Sequence, residues 1–168
     1  MKQASATRRR LTLGLLASGL VGCGFRLRGA RPLPFATLHV AGPVRTELLR
    51  EIRRRVEASG DTRVVGQRSE AEATLEVVSA GREKNIIGLS GSGKVREYEF
   101  RQGLRFRLMG RDGSELIPET ALATTREATW DDSAILAKEQ EEALLFTDME
   151  QELVRQMMRR LEAATPGA

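Results

Sequence analysis

The sequence predicts an α+β fold. It is a two-layer sandwich in which a mixed sheet of about four strands carries two helices on one face, in the order β-α-β-β-β-α. Three observations lead there. An amphipathic helical pattern over 44–56 lies between two β-like segments, so the helix must cross over and leave its flanking strands parallel. Period-two alternation runs over 95–108, bounded on both sides by glycine-rich turns that read as hairpins. A long helical stripe over 146–161 closes the chain. Helices and antiparallel strands segregated in this way stack as two layers, and no helix is left to cover the second face of the sheet.

The chain opens on a leader. Residues 8–21 run from three arginines through a short apolar core to small residues, the layout of a secretory signal. The core is too short to cross a bilayer, which takes roughly 20 apolar residues. Leu20-Val21-Gly22-Cys23 resembles the lipobox of bacterial lipoproteins, in which the cysteine becomes the acylated first residue of the mature chain. The expected organisation is a signal peptide at 1–22 that is removed, a lipidated tether at 23–34, a folded domain at 35–163 and a C-terminal tail at 164–168. Thr7-Arg8-Arg9-Arg10-Leu11 also admits a twin-arginine route with the same destination.

Setting the leader aside changes the charge. The whole chain has 27 Lys+Arg against 23 Asp+Glu, a formal net charge of +4, but four of the bases and none of the acids lie in 1–22. The mature part carries 23 of each, which gives no warrant for nucleic-acid binding. With the one cysteine taken by the anchor, packing must stabilise the domain without a disulfide.

The elements follow in order. Gly24, Gly29, Pro32 and Pro34 make 24–34 an extended tether, and 35–40 alternates weakly as a first strand. Gly42-Pro43 breaks it, with Pro43 suited to a helix start. Val44, Leu48, Ile52 and Val56 recur every four residues, Gly60 closes the helix, and Arg50, Arg53, Arg54 and Arg55 form its solvated side. Val64-Val65 is a short strand or the approach to one. A β-segment from Ala73 to Val78 continues toward Ile86-Ile87.

Between 95 and 108 the even positions Tyr98, Phe100, Leu104, Phe106 and Leu108 are apolar, while Glu97, Glu99, Arg101, Arg105 and Arg107 stand on odd ones. The alternation is interrupted at Gln102-Gly103, where a bulge is expected. Gly110-Arg111-Asp112-Gly113 turns the chain into a strand around 122–130. There Leu122, Thr124, Arg126, Ala128 and Trp130 share a face. Asp131-Asp132-Ser133 supplies capping chemistry. The last helix carries Phe146, Met149, Leu153, Met157 and Leu161, flanked by Leu145, Val154 and Met158, and its methionines read as core packing.

Several catalytic readings fail on their own chemistry. Gly88–Val95 has the Gly-x4-Gly-Lys spacing of a phosphate loop, but Val95 replaces the metal-binding hydroxyl and a strand, not a helix, follows. The glycines are expected to form a flexible hairpin tip instead. His39 is the only histidine, too little for a zinc site of three or four ligands, and is expected to face solvent from its strand. Asp131 and Asp132 are neighbours in a turn whose side chains point apart. No enzyme and no cofactor is expected beyond the covalent lipid (palmitate among its acyl chains) on Cys23.

Cys23-Gly24-Phe25-Arg26-Leu27-Arg28-Gly29 resembles the opening Cys-Gly-Phe-x-Leu-Arg of the lipopolysaccharide-assembly lipoprotein family LptE, also called RlpB. Arg96-Glu97-Tyr98 and Ala134-Ile135-Leu136-Ala137-Lys138-Glu139 add to the likeness, and the element order agrees over the mature chain. The resemblance implies a non-enzymatic protein of the outer membrane, lipid-anchored and facing the periplasm. It would plug the β-barrel LptD and help assemble lipopolysaccharide at the outer surface. Gly24 agrees with this, since an aspartate after the anchor cysteine marks inner-membrane retention in many such bacteria. The resemblance also implies direct lipopolysaccharide binding by basic residues, at positions that match Lys94 and Arg96 at the hairpin tip and Lys138 before the last helix. Two other readings stand beside this one: an envelope lipoprotein with a different ligand or partner, and a periplasmic hydrolase, for which no nucleophile–base arrangement is present.

Overall fold

A computed structural model describes residues 32–165. The leader, Cys23, the first part of the tether and the last three residues lie outside them. Within them the chain forms β1 (Thr37–Ala41), α1 (Thr46–Glu57), β2 (Arg63–Val65), β3 (Ala73–Leu89), β4 (Val95–Gly110), β5 (Glu115–Thr129) and α2 (Ile135–Glu162). Short 3₁₀ turns at Arg68–Glu70 and Asp132–Ala134 precede β3 and α2.

The sheet has five strands in the order β2-β1-β3-β4-β5. The fifth is β2, three residues that pair parallel with β1 through Leu38↔Val64. β1 also runs parallel to the start of β3, and β3, β4 and β5 form an antiparallel meander. The crossover expected of the first helix is thus present, since parallel neighbours cannot be joined by a hairpin.

Both helices lie on one face. Leu48, Ile52 and Val56 of α1 and Leu153, Val154, Met157 and Leu161 of α2 bury against Leu38, Val40, Leu75, Val77, Phe106 and Leu108 of the sheet. Leu33 and Phe35 join this core, so the chain is tied down before its first strand begins. A smaller cluster of Phe100, Phe146 and Met149 packs with Tyr98, Ala128 and Leu145. The methionines of α2 are core residues.

Gly42 explains how β1 leaves the sheet. Its φ is +156°, and a Cβ there would stand 2.1 Å from the Val77 carbonyl oxygen. Only glycine lets the chain pass so near the backbone of β3. Helix α1 begins at Thr46, after Pro43, with the Arg45 carbonyl accepting the Leu49 N–H at 3.2 Å.

Two expectations about the meander need correction. No bulge occurs at Gln102-Gly103, because Arg82↔Gln102 and Gly81↔Gly103 pair in step on one side and Gln102↔Thr124 and Gly103↔Ala123 on the other. Gln102 keeps the even, helix-facing phase and is buried, donating from Nε2 to Glu150 Oε2 at 3.2 Å. The alternation is unbroken in space, and only its polarity changes. The register shifts fall elsewhere, between Val77 and Ser79, between Ile86 and Leu89, and between Phe106 and Met109 against β5. The strand expected from 122 begins at Glu115 and includes Pro118. A proline that cannot donate to a ladder is tolerated because β5 is an edge strand.

Candidate functional site

The β3–β4 hairpin projects beyond β1, which pairs with β3 only as far as Glu76. Its tip is closed by Ser90 N–H donating to the Lys94 carbonyl (2.7 Å), Gly93 N–H to the Ser90 carbonyl (2.9 Å) and Lys94 N–H to Ser90 Oγ (3.1 Å). Gly93 takes φ +79°, and β4 starts directly at Val95. A turn between strands, with no helix N-terminus behind it, is not a phosphate loop.

Lys94 and Arg96 are exposed at this tip, and their side chains make no hydrogen bond or ion pair among the described residues. The Arg96 carbonyl accepts the Trp130 N–H at 2.8 Å, which stitches the hairpin to the end of β5. Asp131 follows at once. Its Oδ1 accepts from Ser133 N–H (2.9 Å) and Ser133 Oγ–H (2.8 Å) and so starts the turn that leads into α2. These bonds hold the Asp131 carboxyl below its ordinary range, with smaller contributions from the charges of Arg96 and Lys138. Both bases therefore stand around one carboxylate. Asp132 points elsewhere, accepting from Trp130 Nε1 at 3.1 Å.

Lys138 does not precede the last helix. α2 begins at Ile135, earlier than its apolar stripe implies, because the Asp131 cap feeds straight into it. Lys138 Nζ lies 2.8 Å from Glu141 Oε2 and its side chain is only 19% exposed. The three expected bases thus share one end of the molecule, but two are free and one is engaged. Exposed apolar side chains share that end: Ile86, Ile87 and Leu89 on the hairpin and Ile135 and Leu136 on α2.

Lys84 was not anticipated. Its ammonium lies 4.2 Å from the ring centroids of both Tyr98 and Trp130, 5.6 Å from Phe100, and 2.5 Å from Glu142 Oε2. Trp130 meets Tyr98 edge-on at 5.1 Å, and Phe100 meets Phe146 edge-on at 5.5 Å. Arg82 stacks over Phe146 at 5.0 Å. These cations occupy inward positions of β3, which the even phase of Ala80, Arg82, Lys84 and Ile86 foreshadows. They join the hairpin to α2 where aliphatic packing gives out.

Among the described residues nothing covers the opposite sheet face. Across it Glu76 pairs with Arg107 at 2.6 Å, Arg105 with Glu119, and Arg101 is exposed between Glu83 and Thr125. Gly81, Gly103 and Ala123 form a row almost without side chains through the middle. His39, expected to face solvent, is half-buried, with Nδ1 3.1 Å from the carbonyl oxygen of Val65, its register partner on the edge strand β2.

Residues 35–161 match the LptE family, described as lipopolysaccharide-assembly. The chain belongs to the LptE family. Its similarity to the LPS-assembly lipoprotein LptE of Pectobacterium atrosepticum is 27% identity over 158 residues, covering 90% of this chain and 83% of that protein. Among solved structures it resembles lipoprotein B of Nitrosomonas europaea, with a TM-score of 0.72 and 33% identity over 83% of this chain and 91% of that one. The rare lipoprotein B of Shewanella oneidensis shares the fold, with a TM-score of 0.65 and 21% identity over 76% of this chain and 94% of the other. The two-helix, mixed-sheet α+β architecture is therefore that of LptE proteins. No helix among the described residues is long and apolar enough to cross a membrane.

Proposed function

We propose that this LptE-family chain is a non-catalytic lipoprotein of the outer membrane, anchored through acylated Cys23, which plugs the LptD β-barrel and assists lipopolysaccharide assembly at the surface. The observation that carries this reading is the long meander with an uncovered, charge-patterned face. Glu76, Glu83, Arg101, Arg105 and Arg107 make that face too polar for an obligate apolar interface, but suited to the polar lumen of an outer-membrane barrel.

Length supports it too. The 17 residues of β3 extend about 55 Å, more than the roughly 40–45 Å of a bilayer with its headgroup regions. The chain enters the fold at the end of β3 away from the tip, since Leu38 pairs with Ala73. A domain held by its N-terminus at one leaflet can thus present Lys94 and Arg96 at the other. There they can meet lipid A phosphates by charge-assisted hydrogen bonds, with exposed Ile86, Leu89 and Leu136 available to acyl chains. Lys138 contributes through its field, being bonded to Glu141.

Depleting the protein in cells tests this reading. Mature barrel and surface lipopolysaccharide should fall together. Normal levels of both would refute it.

A further inference from the structure

The end of the domain opposite the hairpin tip holds an arginine-lined cleft. The C-termini of α1 and α2 meet there around about 330 Å³ of space bordered by Arg55, Ala58, Ser59, Arg155, Met158, Arg159 and Glu162. Arg55 is committed to Glu51 at 2.8 Å. Arg155 and Arg159 are exposed, as is Arg160 beside them, and none of the three makes an ion pair among the described residues. Glu162 is the one acid on the rim. Glu152, near Arg155, is already bound to Arg126 at 2.6 Å.

The chain enters the fold beside this cleft. Pro32 lies against Gly60, the residue after Ser59, and a Cβ on Gly60 would stand 3.4 Å from the proline ring. The Thr62 hydroxyl donates to the Phe35 carbonyl at 2.8 Å, which fixes the chain alongside. From Pro32 back to Cys23 is nine residues, a reach of at most about 30 Å. That stretch contains Arg26, Arg28 and Arg31 and no acid. Any membrane holding Cys23 therefore lies within about 30 Å of Pro32, and every charged side chain in between is basic.

We infer that the cleft at the helix C-termini is a second membrane contact, which binds the phosphates of anionic phospholipid headgroups next to the anchor. This rests on reading Cys23 as the lipid anchor, but names a surface that the anchor reading does not assign. An acyl chain and a basic patch act together at membranes because each supplies part of the binding. Guanidinium groups suit the role by pairing with phosphate through two parallel N–H bonds. The contact also gives orientation. A tether alone leaves the domain free to swing, whereas a seated cleft points the hairpin tip away from the leaflet.

The test uses the mature chain 23–168 with Cys23→Ala, so that no acyl chain contributes. Binding is measured by co-flotation with vesicles of phosphatidylcholine alone and of an equal mixture with phosphatidylglycerol. The chain should bind the anionic vesicles and not the neutral ones. Arg155→Gln/Arg159→Gln should lower binding at least about tenfold, from roughly fivefold per arginine near an anionic surface. Arg101→Gln/Arg105→Gln, which removes equal charge from the open sheet face, should change it less than about twofold. Equal losses in the two double variants, or binding to anionic vesicles unchanged by the cleft variant at an unaltered melting temperature, would overturn the inference. Inorganic phosphate should release the chain more than chloride of equal ionic strength, since guanidinium groups pair with its oxygens in the same way; equal release by the two salts would show charge screening alone and overturn the phosphate assignment. Intact-mass measurement of membrane-extracted protein decides the acylation of Cys23 separately, so the two readings can fail independently.

Discussion

Lys84 holds the hairpin to α2, and removing its charge should be felt throughout that half of the domain. Lys84→Met keeps the apolar stem and deletes the ammonium. The ammonium stands 4.2 Å from each of two ring centroids and 2.5 Å from the Glu142 carboxylate, and its side chain is 29% exposed. At that intermediate exposure each cation–π contact contributes about 1 kcal/mol, and a partly exposed ion pair about 0.5–1 kcal/mol. The three contacts share one charge and do not add fully, so the expected loss is about 2 kcal/mol.

Urea unfolding followed by tryptophan fluorescence measures it directly, because Trp130 is the only tryptophan and lies in the cluster. With an m-value of about 1.5 kcal/mol/M, the midpoint should fall by more than about 1 M. Glu142→Gln should cost only about 0.5 kcal/mol, since the rings still hold the ammonium. A Lys84→Met protein within about 0.5 kcal/mol of the parent, with unchanged emission, would refute the assignment.

Three further outcomes follow from single contacts. Gly42→Ala places a methyl group against the Val77 carbonyl at 2.1 Å and should destabilise by more than about 3 kcal/mol, whereas Gly60→Ala meets only Pro32 at 3.4 Å and should cost less; urea midpoints compare them. Gln102→Leu removes an Oε1 that has no hydrogen-bond partner, while Glu150 keeps Arg45 and Arg82. Stability should rise by up to about 1 kcal/mol in the same assay, and a loss of that size would contradict the reading. Asp131 has a carboxyl pKa below its unfolded value, so its contribution is present above the ordinary carboxylate range and disappears as pH falls through the lowered value. Asp131→Asn should therefore lose stability at neutral pH and converge on the parent only once the pH has fallen below the lowered carboxyl value, as read by urea midpoints along an acid series.

What the sequence reveals of this fold follows from side-chain period. Phe100, Leu104, Phe106 and Leu108 alternate with charges because one face of β4 meets the helices and the other meets water, and both periodic helices were legible for the same reason. Gln102 reads as a break in phase because a buried amide, bonded through Nε2 to a distant glutamate, is polar where its neighbours on the face are apolar. β2 is three residues long, too short for any period. Pro118 hid the start of β5, since its tolerance depends on the strand being at an edge, a property of topology.

The candidate site was legible in part. Lys94 and Arg96 could be placed at a tip because glycines and a strand surround them. Lys138 reads as preceding the last helix because the cap at Asp131 starts the helix before its apolar stripe begins. Lys84 and Arg82 sit inward among aromatics contributed by β4, the end of β5 and α2. Charges on a strand otherwise suggest a wet face, and only the assembled sheet shows which rings surround them.

As the plug of a barrel complex, the role proposed for it here, this LptE-family chain should not stand alone in the membrane. The most direct measurement is its co-purification from detergent-solubilised outer membranes with the molar ratio determined. An LptD-type barrel should come down in equal amount, and in that complex the chain should resist protease at concentrations that cleave it alone. Isolation of the chain without a barrel, or with one far from equal amounts, would contradict it.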